Sequence, residues 1–555
     1  MRLCACFALI AILLTVPAYP QVTTGIVTGP ALSPPQGDSS DSTRYTLSGT
    51  VVNSVTNEPI RRAMVTLFSQ WQIPAMTDSD GRFEFTDLPR SSATVTAQKP
   101  GYFSEQELSA GRHRPKQFPV GPDAQPIVIK LVPEAIVFGR IVDPDGLPIP
   151  NLMVRAVTQR VLEGHKQWTQ GTLDRTDADG AYRISNLMPG SYLIVAGPGH
   201  AQAFIAGVDD TSDLGYPAAV YPGSSPMRIN AGQQVEANFT IKPEPFYSVT
   251  GSVSGTVPGA RYFLQFIPRL PGMRTPSGGY SIDAETGTFS IPRVARGDYT
   301  LQARGMMPDA QNRRMISSEM FGSVPISVRS NLMGVTVAIE PGLNIPVNVR
   351  AERTREQSGP SANQNFPRVQ VHLMPDEEDR PPGYSSPDDP KDPGSQLVIK
   401  NVVPGHYRVE LQSTFGDMYV ASARYGLTDL LNGDLTLAPS AQGAIDVVLR
   451  DDGARLRVKL EGDDAKAGAT ILLVPDRGIP QLRELVNSGG DGNPSLELPN
   501  LPPGAYTVLA FVDVGNLEYT NRAALEPFLS RGAKITLTPN QQATVTPQLI
   551  KAVSE

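Results

Sequence analysis

Apolar and polar residues alternate along this chain in short runs, the period of two that marks half-buried strands. The runs recur. Phe83 and Phe85, Tyr182 and Ile184, Phe289 and Ile291, Leu397 and Ile399, and Leu496 and Leu498 each alternate with polar or small neighbours. Each run closes on a further apolar residue: Leu88, Leu187, Val294, Val402 and Leu501. In four of the five, a Gly then stands two residues before a Tyr, at Gly190-Tyr192, Gly297-Tyr299, Gly405-Tyr407 and Gly504-Tyr506. Successive tyrosines are 107, 108 and 99 residues apart, a domain-sized period that reads as a tandem array. No segment sustains a helical apolar stripe, apart from a weak one near Ile479 to Val486.

The punctuation between runs predicts turns. Asp78-Ser79-Asp80-Gly81 and Asp177-Ala178-Asp179-Gly180 have the chemistry of tight hairpins, with Gly81 and Gly180 at positive φ. Pro189, Pro404 and Pro503 precede the repeat glycines, which predicts a second turn with each Gly left-handed. In the first copy that turn has become Arg90-Ser91. Tyr192, Tyr299, Tyr407 and Tyr506 are expected to be structural, ring packed and hydroxyl bonded to backbone. Opening strands near Thr46, Ile136, Ser248, Leu343 and Ala454, and closing strands near Ile127, Val235, Val335, Ile445 and Ala543, complete each copy. Roughly seven strands in about 100 residues is the signature of a sandwich. The chain is therefore expected to be all-β, with five tandem seven-stranded, immunoglobulin-like or transthyretin-like sandwiches at 44–133, 134–244, 245–341, 342–451 and 452–555.

Gly49-Thr50-Val51 with Pro59-Ile60, Thr77 to Phe85, and Lys99-Pro100-Gly101-Tyr102 resemble the carboxypeptidase regulatory-like domain. Gly139 to Val142, Gly146 to Pro150 and Asp177 to Tyr182 resemble it again. The later copies keep the strand frame and lose most of the motif. The resemblance implies a transthyretin-like sandwich and a non-catalytic accessory module, often found in surface proteins and near carbohydrate-binding folds. It does not imply peptidase activity.

Composition adds a setting. The 555 residues carry a net charge of −7 without a basic stretch, which excludes a nucleic-acid footprint. The 50 Gly and 52 Pro suit a turn-rich β protein. Residues 1–18 read as a secretory signal and 19–43 as a flexible leader. Cys4 and Cys6, the only cysteines, lie within that signal, so no disulfide or thiolate site is expected after its removal. No later apolar run is long enough to span a membrane. The expected location is secreted, periplasmic or at the cell surface. Short Pro-bearing joints suggest a semi-rigid rod or curved string of roughly 150 Å. The longest insertions are 351–367 and the acidic stretch Asp376 to Gln396, of which the acidic one is expected to be a mobile loop.

Chemistry is sparse. His113, His165, His200, His372 and His406 show no zinc-ligand spacing, and no nucleophile elbow, phosphate loop or dinucleotide fingerprint occurs. No catalytic residue, metal ligand or cofactor is assigned. The two Asp-x-Asp-Gly segments could be read as calcium loops, but the further oxygen ligands such loops need are missing, and turns are the preferred reading. Trp71, Trp168, Tyr216 and Tyr221 form the candidate ligand patch, with packing over the core edge as the rival reading. The chain thus reads as a secreted, non-catalytic spacer, adhesion element or scaffold. The alternative is carbohydrate binding through those aromatics. A polysaccharide or an envelope protein is the expected partner.

Overall fold

The computed structural model describes residues 43–551, apart from 70, 109–116, 163, 198–213, 273–276, 284, 309–315, 355–368, 377–379, 390, 393, 414–416, 462–468, 486–494 and 516. The expected signal, nearly all of the leader, both cysteines, His113, His200 and most of the 351–367 insertion lie outside the described residues. The chain is all-β, 61% strand against 3% helix, and its strands form sandwiches.

Five principal clusters of buried side chains follow one another along the chain. They run from Leu47 to Leu131, Ala135 to Ile241, Val249 to Ile339, Ile345 to Leu449 and Ala454 to Leu537. We refer to the chain around each as modules 1 to 5. One pairing plan recurs in all of them. In module 1 the opening strand Tyr45–Asn53 pairs antiparallel with Arg82–Leu88 and parallel with the closing strand Ile127–Pro133. The facing sheet is built on Met64–Phe68 and Ser91–Gln98, antiparallel. The counterparts of this second pair are Met153–Leu162 with Gly190–Gly197, Arg261–Pro268 with Gly297–Pro308, Val369–Pro375 with Gly405–Ser413, and Ala469–Pro475 with Gly504–Phe511. Alternation sets which side chains fill the space between the sheets: Val65, Leu67, Ala93, Val95 and Ala97 are buried, while Met64, Phe68 and Gln98 face out.

Two turn expectations change. The Asp-Gly segments are not hairpins within a sheet. They carry the chain from the Gln72–Met76 edge of one sheet to Arg82–Leu88 in the other, and from His165–Arg175 to Ala181–Leu187. Nor is the Pro-Gly pair uniformly a left-handed turn: Gly190 is absent from the positive-φ residues, Gly405 and Gly504 have φ of 159° and 156°, and all three begin strands. The left-handed residue stands earlier in each copy, at Asp87, Asn186, Arg293, Asn401 and Asn500, with φ from 57° to 60°. It sits at an irregularity in the pairing with the opening strand, where a bulge lets the strand bend over the core. The repeat glycine has no single steric reason. A Cβ at Gly297 would lie 2.9 Å from the Tyr299 ring, which folds back over that space, whereas at Gly190 the Tyr192 ring is an ordinary 3.5 Å away, at Gly405 the nearest atoms belong to Arg380, and at Gly504 nothing lies within 4 Å.

The acidic insertion of module 4 is also not simply a loop. Gly383–Pro387 is a strand that pairs on one side with His372 and Leu373 and on the other with Leu397 to Ile399. It thereby joins both sheets of that module into one nine-stranded sheet. The acids flank this stretch, whereas Gly-Tyr-Ser-Ser-Pro itself is uncharged and Gly383 is buried. The weak helical stripe near Ile479 is a strand, Gln481–Leu485. The eight-residue helix Arg522–Leu529 forms instead, capped by the Asn521 side chain, which accepts from the Ala523 N–H, and it buries Leu525.

The modules do not run out as a straight string. Module 1 meets module 2 where the Gly232 N–H donates to the Pro133 carbonyl at 3.1 Å and the Glu134 N–H donates to the Gly101 carbonyl at 2.9 Å. Module 3 lays Leu270 on the outer face of module 2, and its Glu319 N–H donates to Asn401 Oδ1 of module 4 at 3.1 Å. Module 4 accepts the Gly478 N–H of module 5 at Asn432 Oδ1, 2.9 Å. Module 5 then returns to module 2. The Thr520 hydroxyl donates to the Gly164 carbonyl at 2.6 Å and lies 3.1 Å from His165 Nδ1, and the Lys166 N–H donates to Glu518 Oε1 at 3.2 Å. Modules 2 to 5 thus form a closed circuit of contacts, with module 1 attached to module 2. The residues that close it come from an insertion after Phe511 that no strand pattern announces.

Candidate functional site

The recurring residues spend their polar atoms inside the fold. Tyr192, Tyr299, Tyr407 and Tyr506 are all buried, and each hydroxyl donates to the carbonyl four residues earlier: Met188, Ala295, Val403 and Pro502. Burial raises Tyr192, with Arg160 opposing it, and raises Tyr299; it pushes Tyr506 up to about 12. The sign of the resulting pH dependence is fixed. The neutral phenol is favoured in the folded state, so its contribution is whole below the free tyrosine value of about 10 and is lost as pH climbs through the folded value. Alkaline titration followed by tyrosinate absorbance and circular dichroism should show these phenols ionising together with unfolding between about pH 10 and 12. Smooth ionisation of every tyrosine near pH 10 with the fold intact would contradict this.

Gly81 and Gly180 have φ of 71° and 72° and lie against the opening strand. Asp78 Oδ1 accepts from the Asp80 and Arg82 N–H groups at 2.9 and 2.8 Å, and Asp177 Oδ1 accepts from Asp179 and Ala181 at 2.9 Å each. Those oxygens are committed to closing the turn. Just before them stand Thr77 and Thr176, whose part the sequence pattern did not indicate. Both are buried. Thr176 Oγ1 donates to the Ile149 carbonyl at 2.7 Å and accepts the Leu152 N–H at 2.8 Å; Thr77 does the same with Ile60 and Ala63, at 2.6 and 2.8 Å. Thr176→Val keeps the shape and strands both backbone groups, so module 2 should lose about 1–3 kcal/mol. Faster amide exchange confined to residues 134–244 would report it. Unchanged exchange would show that the bonds are replaceable.

The candidate ligand patch is not one surface. Trp71 stands exposed, 64%, where the Met64–Phe68 and Gln72–Met76 strands turn. Trp168 is half-buried against Val157, Leu193 and Val195, together with Leu270 of module 3. Tyr216 and Tyr221 pack against the core of module 2, and the Tyr221 ring lies 5.9 Å from that of Phe239. Burial, then the Asp143 charge, raise Tyr216. Three of the four aromatics are therefore packing residues, and Trp71 alone is presented to solvent.

Among the described residues no group of three or more His, Cys, Asp or Glu side chains converges as a metal site would require. His165 is at the junction of modules 2 and 5, His372 lies edge-on to Tyr384 at 5.0 Å, and His406 Nδ1 is 3.0 Å from Thr436 Oγ1. They are in separate places. No described helix is long and apolar enough to cross a membrane.

The architecture is that of an all-β chain of successive sandwiches. Within its first module, residues 46–120 match the family model of the carboxypeptidase regulatory-like domain. Module 2, which carries the same turn and threonine network, lies outside the matched residues. No curated protein matches the sequence. Among solved structures, the Bacillus anthracis TIE protein is 11% identical over 54% of this chain and 51% of that one, with a TM-score of 0.17. The chain thus spans about half of the TIE protein. A streptococcal ancillary pilin is 13% identical over 53% and 99% of the two chains, TM-score 0.18. The shaft pilin SpaA from Lactobacillus rhamnosus GG is 12% identical over 39% and 100%, TM-score 0.21.

Proposed function

We propose that this chain is a non-catalytic scaffold acting outside the cell or at the cell envelope, divided into five sandwiches near residues 134, 245, 342 and 452. One observation carries the reading: the residues that recur with the domain period all turn their polar atoms into the fold, as the four tyrosine hydroxyls do. A scaffold needs repeated, self-satisfied modules, whereas a catalytic site needs unspent polar groups facing a cleft. The contacts among modules 2 to 5 make the scaffold a compact body, so its role is to hold module 1 in place rather than to span a long distance. Partners of such a body are a polysaccharide or an envelope protein, met through surfaces left bare. The purified chain should turn over neither peptide nor glycoside substrates, with or without added divalent metal. Metal-dependent turnover that survives repurification would overturn the reading.

A further inference from the structure

One sheet face recurs in three modules with three different fates. In module 2 the outward face of Met153–Leu162 and Gly190–Gly197 carries Val157, Leu193 and Val195, and module 3 covers it: Leu270 packs there and a Cβ on Gly272 would lie 2.8 Å from Val157 Cγ1. In module 5 the matching face carries Leu472, Leu509 and Phe511, and the module's own helix covers it, with the Phe528 ring 5.5 Å from that of Phe511. In module 1 the shared threonine bond, to Ala63 here and to Leu152 in module 2, sets the equivalence, so Phe68 matches Val157 and Thr66 matches Arg155. Their partners across the strand pair are Thr94 and Thr96. Among the described residues the rim of this face is bare, with Met64 46%, Phe68 42% and Met76 61% exposed and Trp71 at its end; Thr94 and Thr96 are half-buried between the strands and Thr66 is buried.

Three properties choose the occupant. The outward positions of Gln72–Met76, Met64–Phe68, Ser91–Gln98 and Gln117–Val120 contain no Asp, Glu, Lys, Arg or His. A polyanion or a charged peptide would find no counter-charge at these positions. Where this face packs on protein, the central neighbour strand offers Leu193 and Val195, or Leu509 and Phe511. Module 1 replaces these with Thr94 and Thr96, whose hydroxyls donate and accept while their methyls stay apolar. Finally, four short strands cover on the order of 300 Å², well below the about 800 Å² per partner of a stable protein interface. A sugar chain has the matching chemistry: uncharged, rich in hydroxyls, with apolar ring faces that stack on Phe68 and Trp71.

We infer that the outer face of module 1 binds a neutral polysaccharide, by stacking on Phe68 and Trp71 and hydrogen bonding to Thr94 and Thr96. This site goes beyond the scaffold reading and does not require it. Of the aromatics flagged in the sequence it keeps Trp71 alone.

The full chain should be run in native gels containing mixed-linkage β-glucan, arabinoxylan or galactomannan, with alginate as a polyanionic control. At least one neutral polymer should retard it, alginate should not, and high salt should leave the retardation intact, since no ion pair is involved. Phe68→Ala and Trp71→Ala should each weaken binding tenfold or more. Leu427→Ala, at an exposed position in module 4, should leave it unchanged. Circular dichroism checks that each variant is folded, and Thr96→Lys gives a further arm that charges the face without removing an aromatic. The proposal is overturned by no retardation in any of the three neutral polymers, by retardation that salt abolishes, or by binding that survives the Phe68→Ala, Trp71→Ala double change. Concentration-dependent dimerisation abolished by Phe68→Ala would also overturn it, showing the face to be a protein contact. A negative result in the gels leaves the turnover test of the scaffold untouched.

Discussion

Gly164→Asn should release module 5 from module 2 and lengthen the molecule. Gly164 has φ of 84°, at the tip of the hairpin between Met153–Leu162 and His165–Arg175. A Cβ there would stand 2.5 Å from Thr520 Cγ2 and 2.7 Å from the Tyr519 ring. Both side chains would have to swing away, and the Thr520 bond to the Gly164 carbonyl would go with them. Asn is the informative choice because it tolerates the left-handed backbone. The hairpin keeps its turn, and the loss falls on the contact. The bonds at this junction are few, each worth about 0.5–1.5 kcal/mol net, so one steric change is enough to outweigh them. Small-angle scattering should then show a maximum dimension longer by ~30 Å, about one module length. Thr520→Ala, which removes the bond without the clash, should lengthen it less. A wild-type chain already as long as the Gly164→Asn variant would refute closure of the circuit.

The sequence made the strands legible and left the assembly hidden, for a physical reason. Strand periodicity reports burial between two sheets of one module, and Phe83, Phe85 and Leu88 carry that message with no help from elsewhere. The tyrosine role was legible for the same reason: Gly-x-Tyr is local, and its hydroxyl partner lies only four residues back. The left-handed residue was harder, because five copies place Asp, Asn, Arg, Asn and Asn there, and Arg293 has no turn signature. Contacts between modules leave no period at all. Gly164 and Thr520 are 356 residues apart, and each reads as an ordinary loop residue. The separation of the four candidate aromatics was hidden on the same ground. Trp168 looks like a loop aromatic until Leu270, from the next module, is laid beside it. Gly383–Pro387 was missed because acids on both sides suggested a solvated loop, while five uncharged residues between them suffice to bridge two sheets.

Gly180→Ala should destabilise module 2 well beyond Gly146→Ala, and the comparison shows why. Both glycines are left-handed, with φ of 72° and 81°. At Gly146 an added Cβ meets nothing within 4 Å. Its cost is the backbone conformation alone, about 1–2 kcal/mol. At Gly180 the Cβ would lie 2.4 Å from the Ile141 carbonyl oxygen, 3.2 Å from Pro148 Cβ and 3.3 Å from the Ile149 N–H nitrogen. Those are backbone and ring atoms, which cannot rotate away. The Gly180 carbonyl also accepts the Ile141 N–H at 2.8 Å, so moving the turn breaks the pairing of the opening strand. Overpacking of this kind adds about 1–3 kcal/mol to the conformational cost, and the two substitutions should differ by that amount. In a chain of several cores a single melting curve mixes transitions. The measurement is therefore amide exchange resolved to residues 134–244, in the full chain. Gly146→Ala should leave exchange near Ile141 and Ile184 slow, and Gly180→Ala should accelerate it by tenfold or more while modules 1 and 4 stay protected. Equal effects of the two substitutions would show that backbone strain, not the approach of the turn to the opening strand, fixes glycine at this step of the repeat.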